Sequence, residues 1–340
     1  MIYGLVISIR NAFYESKLLK STSFDLPVIS VGNLSIGGTG KTPMIEWLIE
    51  RFAKHLDLAI LSRGYKRKTK GYRKVNGNEK ASEVGDESLQ LKRKYPFAAV
   101  AVSESRTLGL SSLLMDYPST QVVLLDDAFQ HRSIRPGLNI LLTEYKNPFF
   151  HDYIMPVGTL REWRSASSRA NIVIVTKCPE SISEEEVKNF KAELNTFSNE
   201  DIFFSTITYR RCYSFLDYQR VLNLQDKDAL LIVTALASPA YLSEYLENKV
   251  RKIYSYEFSD HYHYTERDVE NIINSYNRIP YERKALVTTE KDIVKLLDHR
   301  SLIEEEGIEI FIQRIGVNIL FGQSTLLEAR IKDFLLNFRR

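Results

Sequence analysis

The stretch PVISVGNLSIGGTGKTPMIEWLIERF, residues 27–52, decides the fold. It combines an apolar run typical of a buried strand, a glycine-rich turn that ends in Lys41 and Thr42, and an amphipathic helical pattern. Glycines let the backbone of such a turn curl tightly, so that its amides point at phosphate oxygens. The following helix presents its positive end to the same point. The stretch therefore predicts a P-loop, a phosphate-binding turn on an α/β scaffold.

Each residue of this turn has an expected task. The backbone amides bind phosphate oxygens, Lys41 reaches the β- and γ-phosphates of a nucleotide, and the Thr42 hydroxyl binds Mg²⁺. The expected nucleotide-binding residues are Gly37, Gly38, Thr39, Gly40, Lys41 and Thr42. Ser35 departs from the strict pattern, because it stands where the first glycine belongs. We expect the two extra glycines to supply the flexibility, and a glycine turn that binds nothing is the disfavoured alternative.

Short β-rich apolar runs alternate with helix-length segments along most of the chain. They lie at 27–31, 58–61, 98–102, 122–125, 140–142, 172–175, 230–233, 253–256 and 285–288. Such alternation indicates parallel strands with helices on both faces. We therefore expect a P-loop NTPase-like three-layer α/β/α core within residues 1–200 and a second, smaller α/β domain within residues 201–340.

Two further β-rich segments are expected to join these domains. They are IFFSTITY at 202–209 and IEIFIQ at 308–313, which we expect to pair with each other as a β linker. An amphipathic pattern over residues 324–338 predicts a helix at the C-terminus.

An acidic pair follows another expected strand. In VVLLDDAFQHR, residues 122–132, four apolar residues run into Asp126 and Asp127. A single aspartate after a strand is often a helix cap, but two adjacent carboxylates repel each other unless a cation or a basic group lies near. The pair therefore favours metal or phosphate chemistry beside the P-loop.

The composition excludes several classes of protein. With 340 residues, 44% apolar and 26% charged, and with no repeat, the chain is neither disordered nor fibrous nor a solenoid. A net charge of +3 argues against a general nucleic-acid binder. Cys178 and Cys212 are too few for a disulfide framework or a zinc site, which favours a reducing compartment. We expect neither a spanning helix nor a signal peptide.

The first twenty residues predict an amphipathic helix with a basic side. Its apolar positions at helical spacing are Ile2, Leu5, Val6, Ile9 and Phe13. Periodicity leaves two interpretations open: a helix that packs on the body of the protein, or a helix that lies in the plane of an anionic membrane surface.

Eight motifs along the chain together resemble one family. They are VGNLSIGGTGKTP (31–43), LSRGYKRK (61–68), VGDES (84–88), LLDDAFQHR (124–132), MPVGTLREW (155–163), SRANIVIVTK (168–177), FSDHYHY (258–264) and VTTEKDIVKL (287–296). The sequence resembles the tetraacyldisaccharide 4'-kinases, the lipid A 4'-kinases of Gram-negative envelope synthesis. This resemblance implies transfer of the γ-phosphoryl group of MgATP to the 4'-hydroxyl of a tetraacylated glucosamine disaccharide 1-phosphate.

The resemblance also implies an acid–base pair. Asp86, in VGDES, is the implied base that takes the proton of the sugar hydroxyl, assisted by a histidine of the second domain. We expect that histidine to be His261, with His263 as the competing choice, because Tyr262 replaces the second of two adjacent histidines in the family pattern. Helix capping is the alternative role for Asp86.

Other residues are expected near the metal and the substrate. The resemblance places Glu162 near the metal and Arg161 toward phosphate, although these two could equally form a surface ion pair. Residues 63–74 hold seven basic and no acidic side chains, which fits a solvated loop or a site for phosphate and lipid headgroups. Arg63, directly after a strand, and Asn33 are the residues expected to contact the substrate.

These expectations define one candidate site and one alternative function. The expected catalytic residues are Asp86, His261, Lys41 and Asp127, and the expected metal ligands are Thr42, Asp126, Asp127 and Glu162. ATP and Mg²⁺ are the expected cofactors. The expected partners are the acylated disaccharide 1-phosphate and the inner membrane, at whose cytoplasmic face the protein would bind peripherally, with neither nucleic acid nor an obligate protein partner. The alternative function is a P-loop ATPase or switch that couples nucleotide state to partner binding.

Overall fold

The computed structural model describes residues 2–194, 201–217, 219–237 and 239–338. Within them the α-helices are α1 (Ile2–Glu15), α2 (Lys41–Phe52), α3 (Ala81–Val84), α4 (Asp86–Lys94), α5 (Arg106–Asp116), α6 (Glu184–Leu194), α7 (Ala240–Glu247), α8 (Glu266–Asn277), α9 (Glu290–Leu296), α10 (Arg300–Glu305) and α11 (Ser324–Leu336). The strands are β1 (Val28–Asn33), β2 (Leu58–Ser62), β3 (Arg73–Lys74), β4 (Ala99–Val102), β5 (Val122–Asp126), β6 (Leu138–Glu144), β7 (Ile172–Thr176), β8 (Asp201–Ser214), β9 (Ala229–Thr234), β10 (Lys252–Glu257), β11 (Lys284–Thr289) and β12 (Ile310–Ile319).

All of these strands form one sheet in the order β10-β9-β11-β12-β8-β7-β6-β1-β5-β2-β4-β3. Neighbouring strands are parallel except for β12 against β8 and β3 against β4. The α/β class and the parallel core are therefore confirmed. We call the part built on β1–β7 the P-loop half and the part built on β8–β12 the second half.

The two segments expected to link the halves lie in β8 and β12, which pair with each other in antiparallel fashion. Both strands extend past the expected ends, and the two predicted segments themselves do not lie opposite each other, because Tyr209 pairs with Ile315 whereas Gln313 pairs with Cys212. Phe311 lies opposite Ser214, and Ile319 lies opposite Ser205. Because β8 also pairs with β7, the sheet passes from one half to the other without a break. The division into two domains near residue 200 stays a prediction.

Helices cover both faces of the sheet. On one face a single apolar cluster extends from Trp47 and Leu48 of α2 to Ile272 of α8 and Ile293 of α9, so it spans both halves. On the other face α5 and α6 cover the P-loop half, and α7 covers the second half. This is the expected three-layer α/β/α arrangement.

A buried ion cluster on the first face also joins the halves. Lys94 Nζ, at the end of α4, lies 2.7 Å from Glu46 Oε2 of α2 and 2.8 Å from the carboxylate of Glu290, the first residue of α9. We call these three residues the Lys94 cluster. Burial and the neighbouring charge of Glu290 raise the pKa of Glu46 to about 7. The cluster therefore ties the helix after the glycine-rich turn to the start of α9.

The amphipathic helix α1 packs on the body through its polar and small side. Tyr3 Oη donates to Arg161 O at 3.0 Å, and Trp163 Nε1 donates to Ser8 Oγ at 2.8 Å. A Cβ atom at Gly4 would lie 2.8 Å from the Trp163 ring, so this approach requires glycine.

The apolar side of α1 faces away from the body. Its exposed side chains, Ile2, Leu5, Val6, Ile9 and Phe13, have exposed fractions of 45–81%. The helix thus packs on the body by one side, as the first interpretation expects, and leaves an apolar stripe uncovered; that this stripe lies on a membrane stays a prediction. None of the described helices is long and apolar enough to cross a membrane.

Candidate active site

The glycine-rich turn lies between β1 and α2, at the carboxyl ends of the parallel strands. Gly37 and Gly40 have φ angles of 118° and 87°, a region that favours glycine. Gly40 precedes α2 without a side-chain cap, which leaves the first amides of that helix for an anion. Ser35 lies in extended backbone bridged to Leu160, so this position needs no glycine. The departure from the strict pattern is therefore compatible with the turn.

Lys41 lies at the centre of a small polar group beside the turn. Its Nζ is 3.4 Å from Asn33 Oδ1 and 4.0 Å from Asp127 Oδ1. Asn33 is buried, and its Nδ2 donates to Ser35 O at 2.8 Å. Asn33 thus holds the turn, and its contact with a substrate stays a prediction. Thr42 is buried in the first turn of α2.

The two adjacent aspartates have different surroundings. Asp126, the last residue of β5, accepts a hydrogen bond from Ser62 Oγ at 3.0 Å, whereas its Oδ1 is buried without a hydrogen-bond partner. Burial raises its pKa to about 7, helped by the charges of Glu87 and Asp127. Asp127 accepts two hydrogen bonds from Arg161, at 2.9 and 3.1 Å.

Asp127 stays ionised although burial opposes it, because the charges of Lys41 and Arg161 hold its pKa below the usual range. Arg161 also donates to Asn33 O at 3.0 Å. It does not pair with its neighbour Glu162. Glu162 is fully buried, accepts a hydrogen bond from Arg169 at Oε2, and has no hydrogen-bond partner at Oε1. A surface ion pair between Arg161 and Glu162 is therefore ruled out.

Asp86 and His261 meet at the boundary of the two halves. His261 Nδ1 lies 2.8 Å from Asp86 Oδ2, although the residues are 175 positions apart. Gly85 occupies the N-cap position of α4 and Asp86 is the first residue of the helix, where its Oδ1 accepts a hydrogen bond from the Glu87 amide at 2.9 Å. His261 has a φ of 57°, an uncommon conformation for a non-glycine residue. His263 is exposed.

The charges around Asp86 keep it ionised. Burial alone would raise its pKa, but the hydrogen bond with His261 and the charge of Lys291 outweigh burial and lower it to about 2. Glu87, the next residue, acts on Asp126, so the start of α4 lies near the acidic pair. The start of α4 and the acidic pair beside Lys41 are thus neighbours, and the union of the turn and the Asp86–His261 pair in one site stays a prediction.

Comparison with known proteins decides the family. The model of the tetraacyldisaccharide-1-P 4'-kinases matches residues 1–335. The chain belongs to the tetraacyldisaccharide 4'-kinase family. This membership confirms the resemblance and the enzyme class, a kinase of lipid A biosynthesis that phosphorylates an alcohol group, and it favours the kinase over the P-loop switch.

Several relatives match over most of their length. A tetraacyldisaccharide 4'-kinase of Flavobacterium johnsoniae is 43% identical over 301 residues, covering 88% of this chain and 86% of the relative. One of Phocaeicola vulgatus is 38% identical over 339 residues, covering 98% and 93%. A crystal structure of LpxK from Aquifex aeolicus in complex with ATP has 29% identity and a TM-score of 0.73, covering 99% of this chain and 96% of that one.

Two basic residues of this kinase site escaped the sequence analysis. Arg106, at the start of α5, is fully buried and donates to Asp126 O at 2.9 Å and to Ser103 O at 2.6 Å. Lys291 of α9 contacts the Asp86–His261 pair. Arg106 lies outside the eight motifs, so only the folded arrangement identifies it, whereas Lys291 lies in VTTEKDIVKL but had no role assigned from the sequence. Arg63, by contrast, lies exposed directly after β2, as expected.

Proposed function

We propose that this site transfers the γ-phosphoryl group of ATP to the 4'-hydroxyl of a tetraacyldisaccharide 1-phosphate, with Asp86 as the base. The observation that carries the proposal is the 2.8 Å contact between Asp86 and His261, at the boundary of the P-loop half and the second half. A protein that only binds or hydrolyses a nucleotide has no need of a base for a second substrate. The pair therefore supports an acceptor other than water.

The glycine-rich turn would hold the phosphates of ATP. The amides of residues 37–42 and the positive end of α2 suit phosphate oxygens, and Lys41 is near enough to neutralise the β- and γ-phosphates. Arg161 fixes Asp127 beside Lys41 through its bidentate contact. Catalysis would come mostly from this alignment and charge neutralisation, because phosphoryl transfer needs little covalent help.

The residues present fit a magnesium ion. Asp126 Oδ1 and Glu162 Oε1 are buried oxygens without hydrogen-bond partners. Among the described residues no three His, Cys, Asp or Glu side chains form a metal cluster, so the proposal relies on few protein ligands, with phosphates and water completing the usual Mg²⁺ shell. We assign Thr42, Asp126 and Glu162 to the ion, with Asp127, engaged by Arg161, beside it. When bound, Mg²⁺ would neutralise charge on the β- and γ-phosphates.

In the transfer step the hydroxyl oxygen forms a bond with the γ-phosphorus, and the bond from that phosphorus to the oxygen it shares with the β-phosphate breaks. The hydroxyl proton passes to the Asp86 carboxylate, and ADP leaves with the electron pair of the broken bond. His261 Nδ1 lies 2.8 Å from Asp86 Oδ2, and this contact would fix the orientation of the carboxylate.

The exposed stripe of α1 would lie on a membrane surface. Its apolar side chains have no cover in the described chain, and the neighbouring segment exposes Val157 with a fraction of 80%. Helices of this kind bury an apolar side at the boundary of headgroups and acyl chains. The basic segment 63–74 and Arg63 suit anionic headgroups and the substrate's 1-phosphate. We therefore propose peripheral binding at the cytoplasmic face of the inner membrane.

One assay tests the whole proposal. The protein is incubated with γ-labelled ATP, Mg²⁺ and vesicles that contain tetraacyldisaccharide 1-phosphate. Label in the organic-extractable lipid is the expected result, and it should depend on Lys41 and Asp86. Label that appears only as free phosphate would instead support an ATPase or switch, and equal lipid labelling by an Asp86→Asn variant would remove the proposed base.

A further inference from the structure

Lys291, in the motif VTTEKDIVKL, has no task in the function proposed so far, yet it contacts the proposed acid–base pair. It is the second residue of α9, and its side chain is only 16% exposed. Its Nζ lies 3.1 Å from His261 Nε2, 3.0 Å from Asp260 Oδ1 and 3.6 Å from Glu87 Oε1. Lys291 thus touches the side of His261 opposite to Asp86.

The backbone that carries Lys291 is held from both halves of the sheet. Thr289 caps α9 by accepting a hydrogen bond from the Asp292 amide. The preceding residue, Glu290, is fixed by Lys94 of α4 at 2.8 Å. Because α4 also begins with Asp86, one short helix of the P-loop half positions both the base and the start of α9. The contacts of Thr289 and Glu290 therefore fix the backbone position of Lys291 next to the Asp86–His261 pair.

The direction of the hydrogen bonds follows from the chemistry of lysine. An ammonium group has three donors and no acceptor, so at 3.1 Å from Lys291 the His261 Nε2 must accept. A neutral imidazole then carries its single hydrogen on Nδ1. That hydrogen lies between His261 Nδ1 and Asp86 Oδ2, which are 2.8 Å apart.

We infer that Lys291 is a positioning residue that holds His261 as the neutral Nδ1–H tautomer against Asp86, so that Asp86 alone receives the hydroxyl proton. The inference rests on the proposed Asp86–His261 pair. His261 then has no free lone pair for the substrate, because Nδ1 carries hydrogen and Nε2 is engaged. Lys291 neither gains nor loses a proton during the transfer.

Charged groups surround the contact between His261 and Lys291. The Tyr65 ring packs edge-on against His261, with centroids 5.0 Å apart, and the charge of Lys295 in α9 also lowers the pKa of Asp86. Three carboxylates lie around the contact: Asp86 of α4 and Asp260, whose Oδ2 is 3.7 Å from Nε2, lie at His261, and Glu87 of α4 lies at Lys291. Although burial opposes its charge, those carboxylates raise the pKa of Lys291, which stays an ammonium and offsets them.

The test compares Lys291→Met with Lys252→Met, a matched loss of an exposed lysine in β10 of the same half. In Lys291→Met we expect kcat for lipid phosphorylation to fall about tenfold, with the KM for ATP unchanged, because the pair loses its alignment. The acidic limb of the kcat profile should move about one pH unit upward, since removing a nearby positive charge lets the pair protonate more readily. Lys252→Met should match the wild type in both.

A second comparison separates this inference from the acid–base pair itself. In an Asp86→Asn background, Lys291→Met should lower kcat less than twofold further, because both changes act on one unit. A normal kcat in Asp86→Asn would contradict the proposed Asp86–His261 acid–base pair. Reduced kcat in Asp86→Asn, together with a wild-type rate and pH profile in folded Lys291→Met, would overturn only the role of Lys291.

A measurement on the unaltered protein does not depend on whether the variant folds. Histidine labelled with ¹⁵N reports which ring nitrogens carry hydrogen, and the His261 signals are those that disappear in His261→Ala. At pH 7 we expect a protonated Nδ1 and an unprotonated, hydrogen-bonded Nε2. Signals of an imidazolium, or of the Nε2–H tautomer, would contradict the inference.

Discussion

The glycine-rich turn and the Asp86–His261 pair are assembled in different ways. The turn is contiguous: its residues lie between β1 and the helix that follows it, and the groups proposed to hold phosphate all belong to the P-loop half. The pair joins two residues 175 positions apart, one from each half. The turn is therefore complete within one half, whereas the pair exists only while both halves keep their places.

This difference separates two steps of the reaction. Nucleotide binding depends on local geometry and should tolerate small displacements of the second half. Transfer to the acceptor depends on a contact between the halves, so the same displacements should abolish it. A substitution at the boundary of the two halves is thus expected to lower kcat alone. A substitution in the glycine-rich turn is expected to lower kcat and to weaken nucleotide binding as well.

The largest effect is expected from Lys41→Ala. Loss of this charge beside the turn should reduce lipid phosphorylation by about 10³-fold or more and weaken ATP binding, because this ammonium is the group expected to neutralise the β- and γ-phosphates. Isothermal titration with ATP and the labelled-lipid assay measure the two losses, and circular dichroism checks the fold. Substantial lipid phosphorylation by the variant would show that the turn is not the ATP site.

Asp86→Asn should affect only the second of these steps. The amide keeps the shape but removes the basic carboxylate, so kcat should fall about 10²-fold while the dissociation constant for ATP is unchanged. His261→Ala should cause a smaller loss, and the double variant should be little worse than Asp86→Asn alone. Losses that multiply independently would mean that the two residues do not act as one unit.

The exposed stripe of α1 should affect neither the turn nor the pair, but only delivery of the lipid. Leu5→Gln combined with Ile9→Gln keeps the packed side of the helix and should raise the KM for lipid about tenfold, because apolar area is lost from the membrane contact. The matched control is Leu108→Gln with Met115→Gln, two exposed side chains on α5. Sedimentation with vesicles measures binding, and equal behaviour of both double variants would contradict the assignment.

The smallest effect concerns the Lys94 cluster, which connects the two regions. The folded protein binds the Glu46 proton more tightly than the unfolded chain does, since the pKa is about 7 instead of 4.5. This contribution to the free energy of unfolding is present below pH 4.5 and is lost as the pH rises toward 7. Glu46→Gln should flatten that pH dependence in chemical denaturation.

Glu50→Gln, one turn further along α2, is the matched control for Glu46→Gln. Hydrogen bonds and charge from Arg210 overcome burial and lower the pKa of Glu50, so its contribution is already complete above pH 4.5. Its loss should lower the free energy of unfolding about equally between pH 5 and 8. A flattened dependence in Glu50→Gln but not in Glu46→Gln would reverse the assignment.

The contiguous part of the site was predictable from the sequence, because local chemistry specifies it. The glycines, Lys41 and Thr42 must follow β1 directly for the turn to form, so their spacing alone predicts their place. The strand positions followed in the same way from apolar runs. The offset between β8 and β12 was not predictable, because both strands extend into polar sequence whose pairing depends on the partner strand.

The contacts between the halves could not be read from spacing. His261 was expected near Asp86 only through the family resemblance, and geometry then separates it from the exposed His263. Lys291 lies in the motif VTTEKDIVKL, but its role could not be predicted, because a lysine in the first turn of a helix is ordinary until the fold places it on an imidazole. For α1 the pattern predicted an amphipathic helix but not which side would pack, since small residues such as Gly4 decide close approach.

The contact of Gly4 with Trp163 has a mechanical consequence. Helix α1 packs on the same short segment that carries Arg161. Tyr3 donates to the backbone oxygen of Arg161, and the guanidinium of Arg161 donates to Asp127. A displacement of the helix would therefore be transmitted to the acidic pair through the side chains of Tyr3 and Arg161. A bulkier residue at position 4 would clash with the Trp163 ring, so the packing of the helix on the segment that carries Arg161 depends on Gly4.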